Sequence, residues 1–170
     1  MRLLFLIRHA KAEPHVGRGD YDRRLTGRGR DDAKRVAKAL AARRMLPDLL
    51  VHSGAARAKE TAEIFAAARR RIELAEDAKL YDATETTLLA FTRALSNVRE
   101  RVGLVGHNPG LGELATALTA SGGEEEMQRL AAKYPTGAVA ALDFELDDWR
   151  DVEHKSAKLR LFLTPAELEG

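Results

Sequence analysis

The sequence predicts an α/β fold, a three-layer α/β/α sandwich in which a mostly parallel β-sheet is covered by helices on both faces. Two observations predict it. Nearly continuous apolar runs at residues 3–7 and 102–105 are typical of strands buried on both faces of a parallel sheet. Segments with helical spacing follow such runs, so that strands and helices alternate along the chain.

The predicted helices share the repeat of apolar residues on one helical face. They lie around residues 33–40, 58–65, 88–95 and 111–118. Thr26 is expected to cap the first of them and Thr84 the third, since a threonine oxygen can accept a hydrogen bond from an uncapped N–H group. Pro109 is expected in the first turn of the fourth, where its missing N–H costs nothing.

The C-terminal third of the sequence shows a different pattern. Leu142, Phe144 and Leu146 alternate with acidic residues, and Leu159, Leu161 and Leu163 also recur at every second position. Such alternation predicts half-exposed outer strands. Trp149, in the acidic turn between them, is expected to pack on the surface. Residues 121–126 are expected to form a short linker.

Length and composition limit the class of protein. A chain of 170 residues is expected to form one domain, spanning residues 1–170, that buries roughly 70% of its unfolded surface without a disulfide or a metal. There is no cysteine, so a cytoplasmic location is expected. Arg8 and His9 interrupt the N-terminal apolar run, so we expect no signal sequence there. No window is apolar enough to predict a membrane span.

The charge balance does not indicate a nucleic-acid partner. The formal net charge is only +2, although the calculated isoelectric point is about 9.0. The arginine clusters at residues 43–44 and 69–71 directly follow helical segments. We interpret them as cations near helix C-termini, where they interact favourably with the helix dipole. Neither nucleic acid nor membrane is expected as a partner.

Reactive side chains follow three of the predicted strands. Arg8 and His9 end the first strand, His107 ends the strand at residues 102–106, and Arg57 opens the helix after a strand that reaches His52. The carboxyl ends of parallel strands meet at one edge of a sheet, where ligands bind. We therefore expect two histidines and two arginines to lie at that edge.

These motifs resemble the histidine phosphatase superfamily, whose signature is Arg-His-Gly or Arg-His-Ala at the end of the first strand. The resemblance rests on residues 6–11, 23–29, 51–62 and 104–111 in that order, and it covers most of the chain. Within the superfamily the sequence is most similar to the small SixA-type phosphohistidine phosphatases, with a phosphoglycerate mutase-like fold. Many members have proline where Gly54 and Arg24 stand here.

The resemblance implies a phosphoryl transfer through His9. His9 is the nucleophile and becomes phosphorylated, and His107 is its partner. Guanidinium forks suit a phosphoryl group, so Arg8 and Arg57, together with His107, are expected to bind the phosphate. Water then hydrolyses phosphorylated His9. No metal and no cofactor are expected.

The proton donor for the leaving group is less defined by the sequence. The family places an acidic residue between the second helix and the strand before the second histidine, where Asp82 and Glu85 are candidates. An alternative is that both simply lie near the positive end of a helix capped by Thr84.

Hydrolysis of a phosphoramidate needs less help from an acid catalyst than hydrolysis of a phosphate ester. The short connections leave little chain for a lid. Both points favour phosphohistidine on a protein, such as a histidine phosphotransfer domain.

Three alternatives remain open to the sequence. A broad small-molecule phosphomonoesterase, or a mutase, would use the same His9 chemistry. A non-catalytic phosphoprotein-binding module would only hold phosphate. A metal hydrolase would use His9 and His107 with His15 or His52, but the two arginines would repel a cation and no His-Glu-x-x-His motif occurs. We interpret His15, His52 and His154 as ordinary polar or packing residues.

Overall fold

The fold is that of a computed structural model that describes residues 1–14, 17 and 19–169. Its centre is one sheet built from strands β1 (Arg2–Arg8), β2 (Leu49–His52), β3 (Glu73–Glu76), β4 (Arg101–Gly106), β5 (Thr119–Gly122), β6 (Val139–Phe144) and β7 (Ala157–Leu163). The strand order is β3-β2-β4-β1-β6-β7-β5. Only β6 runs antiparallel to its neighbours, so the sheet is mostly parallel, as predicted.

Helices cover both faces of this sheet. They are α1 (Gly27–Ala42), α2 (Ala56–Ala67), α3 (Glu85–Arg93), α4 (Gly110–Leu118) and α5 (Glu124–Ala132). Strand β1 explains the two layers, because Leu4 and Leu6 join the core that includes α3, α4 and α5. Phe5 and Ile7 join the opposite core, with α1 and α2. The predicted three-layer sandwich is confirmed.

The predicted helix caps lie where the sequence placed them, with one shift. Thr26 Oγ1 accepts a hydrogen bond from the N–H of Gly29 at 2.9 Å. Thr84 Oγ1 accepts one from Thr87 at 3.2 Å. Pro109 occupies the N-cap of α4 rather than its first turn, since the helix begins at Gly110. Each threonine cap satisfies one N–H group that has no partner within its helix, whereas Pro109 makes no side-chain hydrogen bond there.

The prediction of half-exposed outer strands at the C-terminal end is wrong for β6; residues 157–160 of β7 do alternate between buried and exposed, although β7 is not an edge strand. Strand β6 lies inside the sheet, and all of its residues except Asp143 are buried. Leu142 and Phe144 pack in one core and Val139 and Ala141 in the other, whereas Asp143 pairs with Arg160 of β7 at 2.6 Å. The edge position belongs to β5, which occupies part of the segment expected to be a linker. Leu146 lies beyond β6.

Trp149 is also not where the sequence predicted it. The side chain is fully buried, and its Nε1 donates a hydrogen bond to the carbonyl of Arg99 at 2.7 Å. It packs against Phe144, with ring centroids 6.5 Å apart. The acidic residues around Trp149 indicate a turn at the surface, but the indole itself is part of a hydrophobic core.

At the other edge of the sheet, β3 has four exposed residues and gave no apolar signal in the sequence. Charged side chains are common on edge strands, where they discourage pairing with other chains. None of the helices within the described ranges has the length and apolar character needed to cross a membrane.

Candidate active site

The site lies at the carboxyl edge of three neighbouring strands. Strands β1 and β4 are parallel and pair Arg8 with Gly106, so the next residue of each, His9 and His107, are neighbours. Their ring centroids are 5.3 Å apart. The backbone N–H of His9 donates to the carbonyl of Gly106 at 3.1 Å and extends the pairing by one residue. The sheet thus brings the two histidines together, as the sequence predicted.

The hydrogen bonds of His9 define its tautomer. Nδ1 lies 2.7 Å from the carbonyl oxygen of Ala10, which can only accept, so Nδ1 carries the proton. Nε2 therefore carries a lone pair, which accepts a long hydrogen bond from Nε of Arg57 at 3.3 Å. Burial, together with the nearby charges of His107, Arg57 and Arg8, lowers the pKa of His9 to about 3, against the opposing effect of its bond to Ala10. An unprotonated Nε2 is what a nucleophilic histidine needs.

Arg57 lies between the two histidines, in the first turn of α2, and is only 4% exposed. One edge of its guanidinium faces them: Nε is 3.3 Å from Nε2 of His9, and Nη2 is 3.3 Å from Nδ1 of His107. The other edge is occupied by Asp20. Nη1 donates to the Asp20 carbonyl at 2.7 Å, and Nη2 donates to Oδ2 at 3.0 Å. Arg57 therefore presents one fork to the gap between the histidines.

His107 is held from behind by Ser53, the residue that follows β2. Ser53 Oγ lies 2.7 Å from Nε2 of His107 and also accepts a hydrogen bond from the N–H of Ala55 at 3.3 Å. A hydroxyl both donates and accepts, so Ser53 satisfies Nε2 in either tautomer of His107. Burial first, and then the charge of Arg57, lowers the pKa of His107 to about 4.

Arg8 borders the same site from the end of β1. Its Nη1 donates to the carbonyl of Tyr134 at 2.9 Å, and burial lowers its pKa. Its Nε is buried without a hydrogen-bond partner among residues 1–14, 17 and 19–169. The charge of Arg8 also contributes to the lowered pKa of both His9 and His107. An unpaired buried donor next to two neutral histidines suits an anionic ligand.

Sequence reasoning missed three residues of the site: Ser53, Asp20 and Tyr81. Tyr81 Oη donates to Oδ2 of Asp20 at 2.6 Å, and its ring packs edge-on against His107 with centroids 5.5 Å apart. The hydrogen bond from Tyr81, with help from Arg57 and Arg23, holds the pKa of the Asp20 carboxyl well below its usual range. Only Ser53 had a signal in the sequence, its position directly after a strand.

The two acid candidates lie in different surroundings. Asp82 lines a cavity of about 240 Å³ together with His107, Asn108 and Glu113. Glu85 contacts His154 instead, with Oε1 2.6 Å from Nε2. Asp82 therefore borders the space next to His107, whereas the carboxylate of Glu85 is engaged elsewhere. Glu113 is a further carboxylate at this cavity that the sequence did not single out.

Gly54 shows what replaces the proline of many superfamily members. Its φ is +89°, and a Cβ there would lie 2.1 Å from the hydroxyl of Tyr21. Proline cannot adopt a positive φ. Tyr21 in turn packs edge-on against Tyr81, with ring centroids 5.1 Å apart. The glycine thus lets an aromatic pair approach the turn between β2 and α2.

His52 takes no part in this arrangement. Nδ1 of His52 accepts a hydrogen bond from the N–H of Gly54 at 3.1 Å, and the side chain is buried. His15 lies outside the described residues. Asn108, at the cavity border, accepts from Gly112 at 3.0 Å and so caps the start of α4. Across the described part of the chain, no three His, Cys, Asp or Glu side chains converge in a way that could hold a metal ion.

Comparison with protein families is consistent with this geometry. The model of the histidine phosphatase superfamily, branch 1, matches residues 4–87. These residues include His9, Arg57 and the other motifs of the first half of the chain. An uncharacterized protein of Mycobacterium leprae is 30% identical over 166 residues, which cover 94% of this chain and 99% of that protein.

Solved structures share the fold over nearly the whole chain. A candidate phosphohistidine phosphatase SixA from Agrobacterium tumefaciens is 31% identical, with a TM-score of 0.81 over 96% of this chain and 98% of that one. The protein histidine phosphatase SixA solved with tungstate is 22% identical, with a TM-score of 0.76 over 98% and 99% of the two chains, and shows likeness of fold. The chain therefore belongs to the histidine phosphatase superfamily, as a SixA-type member, and this membership supports phosphatase activity.

Proposed function

We propose that this protein is a phosphatase that hydrolyses phosphohistidine on a protein through a phosphorylated His9. The observation that carries the proposal is the state of His9. Its Nδ1 is committed to the carbonyl of Ala10, its Nε2 is unprotonated, and Arg57 lies 3.3 Å from that nitrogen. This arrangement supports a nucleophile next to a phosphate-binding cation.

In the first step the lone pair of His9 Nε2 attacks phosphorus. A new P–N bond forms as the P–N bond to the substrate imidazole breaks, and the departing nitrogen keeps that electron pair and takes a proton from solvent. In the second step water attacks the same phosphorus and releases a proton to solvent, the bond to His9 breaks with its electron pair returning to Nε2, and inorganic phosphate leaves. Each step passes through a transition state with negative charge spread over the phosphoryl oxygens.

Three groups are placed to stabilise that charge. Arg57 offers Nε and Nη2 on the edge that faces the histidines. Arg8 has a buried Nε that is free among the residues described. His107 donates through Nδ1 when the hydroxyl of Ser53, 2.7 Å from Nε2, donates to the other nitrogen. Donors arranged in advance are the main source of catalysis in phosphoryl transfer.

The choice of a protein phosphohistidine rests on chemistry and on the relatives. The departing imidazole is readily protonated, so the reaction does not depend on a strong general acid, and the carboxylate of Glu85 is engaged with His154. The Agrobacterium tumefaciens relative is named as a candidate phosphohistidine phosphatase. We propose a histidine phosphotransfer domain as the type of partner.

We also propose that the reaction needs no metal and takes place in the cytoplasm. A cation bound between His9 Nε2 and His107 Nδ1 would face the guanidinium of Arg57, which lies 3.3 Å from both nitrogens. The repulsion between two cations at that distance disfavours a metal site there. The location rests on the absence of cysteine.

A second candidate is a small-molecule phosphomonoesterase, or a mutase, with the same His9 chemistry. The cavity beside His107 favours it, because Asp82 and Glu113 bring two carboxyl groups to a space of about 240 Å³. A departing alkoxide needs a proton, and either group could supply it.

The deciding experiment is single-turnover loss of phosphohistidine from a phosphorylated histidine phosphotransfer domain, with EDTA present throughout. The wild-type protein is compared with His9→Ala and with His154→Ala as a control, and a sugar phosphate is tested in parallel. We expect rapid loss with wild type and His154→Ala, and none with His9→Ala. Faster turnover of the sugar phosphate would favour the second candidate. Phosphate binding without any turnover would indicate a binding module.

A further inference from the structure

The geometry points to Asp20 as a positioning residue for the proposed phosphoryl transfer. Its carboxylate and its backbone carbonyl occupy the outer edge of Arg57 and so aim the inner edge at the gap between His9 and His107. The inference rests on the proposed function and deepens it, because it concerns how the phosphate-binding arginine is held rather than which substrate it meets.

A guanidinium has two edges that can each donate a pair of parallel hydrogen bonds. In Arg57, Nε and Nη2 form the inner edge, and Nη1 and Nη2 form the outer one. The contacts divide along these lines. Nε and Nη2 reach His9 and His107, each at 3.3 Å. Nη1 and Nη2 reach the carbonyl and Oδ2 of Asp20, at 2.7 and 3.0 Å.

The shorter distances are on the outer edge, so Asp20 is the firmer partner of Arg57. The inner-edge contacts are long for hydrogen bonds to nitrogen. A phosphoryl oxygen can therefore replace the inner contacts without disturbing the outer ones. Arg57 then binds the substrate with its rotamer already set, which reduces the entropy lost on binding.

Asp20 is itself held by two neighbours. Tyr81 Oη donates to Oδ2 at 2.6 Å, and Arg23 Nε donates to Oδ1 at 3.0 Å. Both oxygens of the carboxylate are thus engaged, although its side chain is 40% exposed. Tyr81 also packs against His107. The same tyrosine therefore supports His107 directly and Arg57 through Asp20.

A purely electrostatic role for Asp20 predicts the opposite behaviour. A carboxylate near the phosphate gap repels the anion, so its neutralisation would strengthen phosphate binding and leave kcat unchanged or higher. A positioning role predicts weaker phosphate binding and a lower kcat when the carboxylate is lost. The two roles therefore differ in the sign of the effect.

The test uses Asp20→Asn, which keeps the size of the side chain but removes its charge. Asp22→Asn is the matched control, since Asp22 lies exposed in the same short turn. Tyr81→Phe is a second variant that leaves the charge of Asp20 in place and removes only its support. For each protein, kcat and KM are measured, binding of inorganic phosphate is measured by calorimetry, and the thermal unfolding midpoint checks folding.

We expect Asp20→Asn to lower kcat by about 10- to 100-fold, as misplacement of a positioning group does, and to weaken phosphate binding. Tyr81→Phe should change both in the same direction and by less, and Asp22→Asn should match wild type. Asp20→Asn is then combined with Arg57→Lys, a change that keeps the positive charge but removes the paired N–H donors of the guanidinium. There Asp20→Asn should change kcat by less than about twofold, because coupled residues are not additive.

Three results would overturn the inference: tighter phosphate binding in Asp20→Asn, an unchanged kcat, or an equal loss in the Arg57→Lys background. Failure of the proposed substrate is a separate result. If only phosphate esters are turned over, the same comparison of kcat is made with the ester. If nothing is turned over, the sign of the change in phosphate affinity still decides whether Asp20 positions Arg57.

Discussion

The hydroxyl of Ser53 lies 2.7 Å from Nε2 of His107, and the side chain of Ser53 is fully buried. Ser53 follows β2 and His107 follows β4, so the pairing of two parallel strands creates this contact. When one ring nitrogen of a histidine is hydrogen-bonded within the protein, the other nitrogen can be directed at a ligand. Ser53 therefore sets which nitrogen of His107 faces the gap next to Arg57.

Replacement of Ser53 by alanine should impair turnover more than folding. We expect kcat to fall by about 10-fold or more, as when the supporting partner of a functional histidine is removed. The unpaired buried nitrogen should also lower the free energy of unfolding by about 1–3 kcal/mol. Steady-state kinetics and urea unfolding measure the two effects. Ser53→Thr retains the hydroxyl and should recover most of kcat; a variant as inactive as Ser53→Ala would contradict this role.

The buried histidines should make stability depend on pH. Burial is the largest cause that lowers the pKa of His9 to about 3 and that of His107 to about 4. In the unfolded chain each histidine binds a proton near pH 6.5, while the folded chain does not. The unfolded state thus gains protons first, and the free energy of unfolding should fall as pH drops below 6.5, by at most about 1.4 kcal/mol per pH unit for each histidine.

Urea unfolding between pH 7.5 and 5.5 measures this dependence, before most carboxylates begin to titrate. His9→Gln removes one of the groups and should show a shallower decline than wild type. Equal slopes in wild type and His9→Gln would mean that His9 is not held neutral in the folded protein.

Asp82 should matter for esters and not for phosphohistidine. It borders the cavity next to His107, where a leaving group would depart. We expect Asp82→Asn to lower kcat for an unactivated phosphate ester by about 100-fold, the usual contribution of general acid catalysis, and to leave dephosphorylation of a phosphohistidine substrate unchanged. Glu113→Gln, at the same cavity, is the comparison variant. Equal losses for both substrates in Asp82→Asn would rule out a role specific to the leaving group.

Gly54 should not tolerate a side chain. With φ at +89° and a Cβ position 2.1 Å from the hydroxyl of Tyr21, alanine would strain the backbone and displace the tyrosine. We expect Gly54→Ala to lower the free energy of unfolding by about 1–3 kcal/mol. Gly27 has open space around its Cβ position and an ordinary φ, so Gly27→Ala should be neutral or stabilising. Chemical denaturation of the two variants gives the comparison, and similar values for both would show that the Tyr21 contact is not restrictive.

Sequence patterns predicted the layers of the fold because apolar periodicity is local information. The runs that became β1 and β4 are buried on both faces, and the helical repeats cover them as expected. The same information was insufficient for β6, because alternation of apolar with acidic residues predicts a strand with one face exposed to solvent. In the structure, the apolar residues of β6 pack in two cores, one on each face of the sheet, and Asp143 is accommodated by an ion pair with Arg160. For a strand of mixed residues such as β6, the position in the sheet is decided by the strands that pair with it.

The sequence by itself determined that His9, His107 and Arg57 follow strands whose carboxyl ends share one edge of a parallel sheet. Only the tertiary structure decided how these groups are oriented. The fork of Arg57 is held by Asp20, from a turn 37 residues earlier in the chain, and His107 is held by Ser53, from another strand. Such contacts are decided by the packing of separate segments, so no local spacing in the sequence reveals them. The tautomer of a histidine and the direction of a guanidinium follow from those contacts.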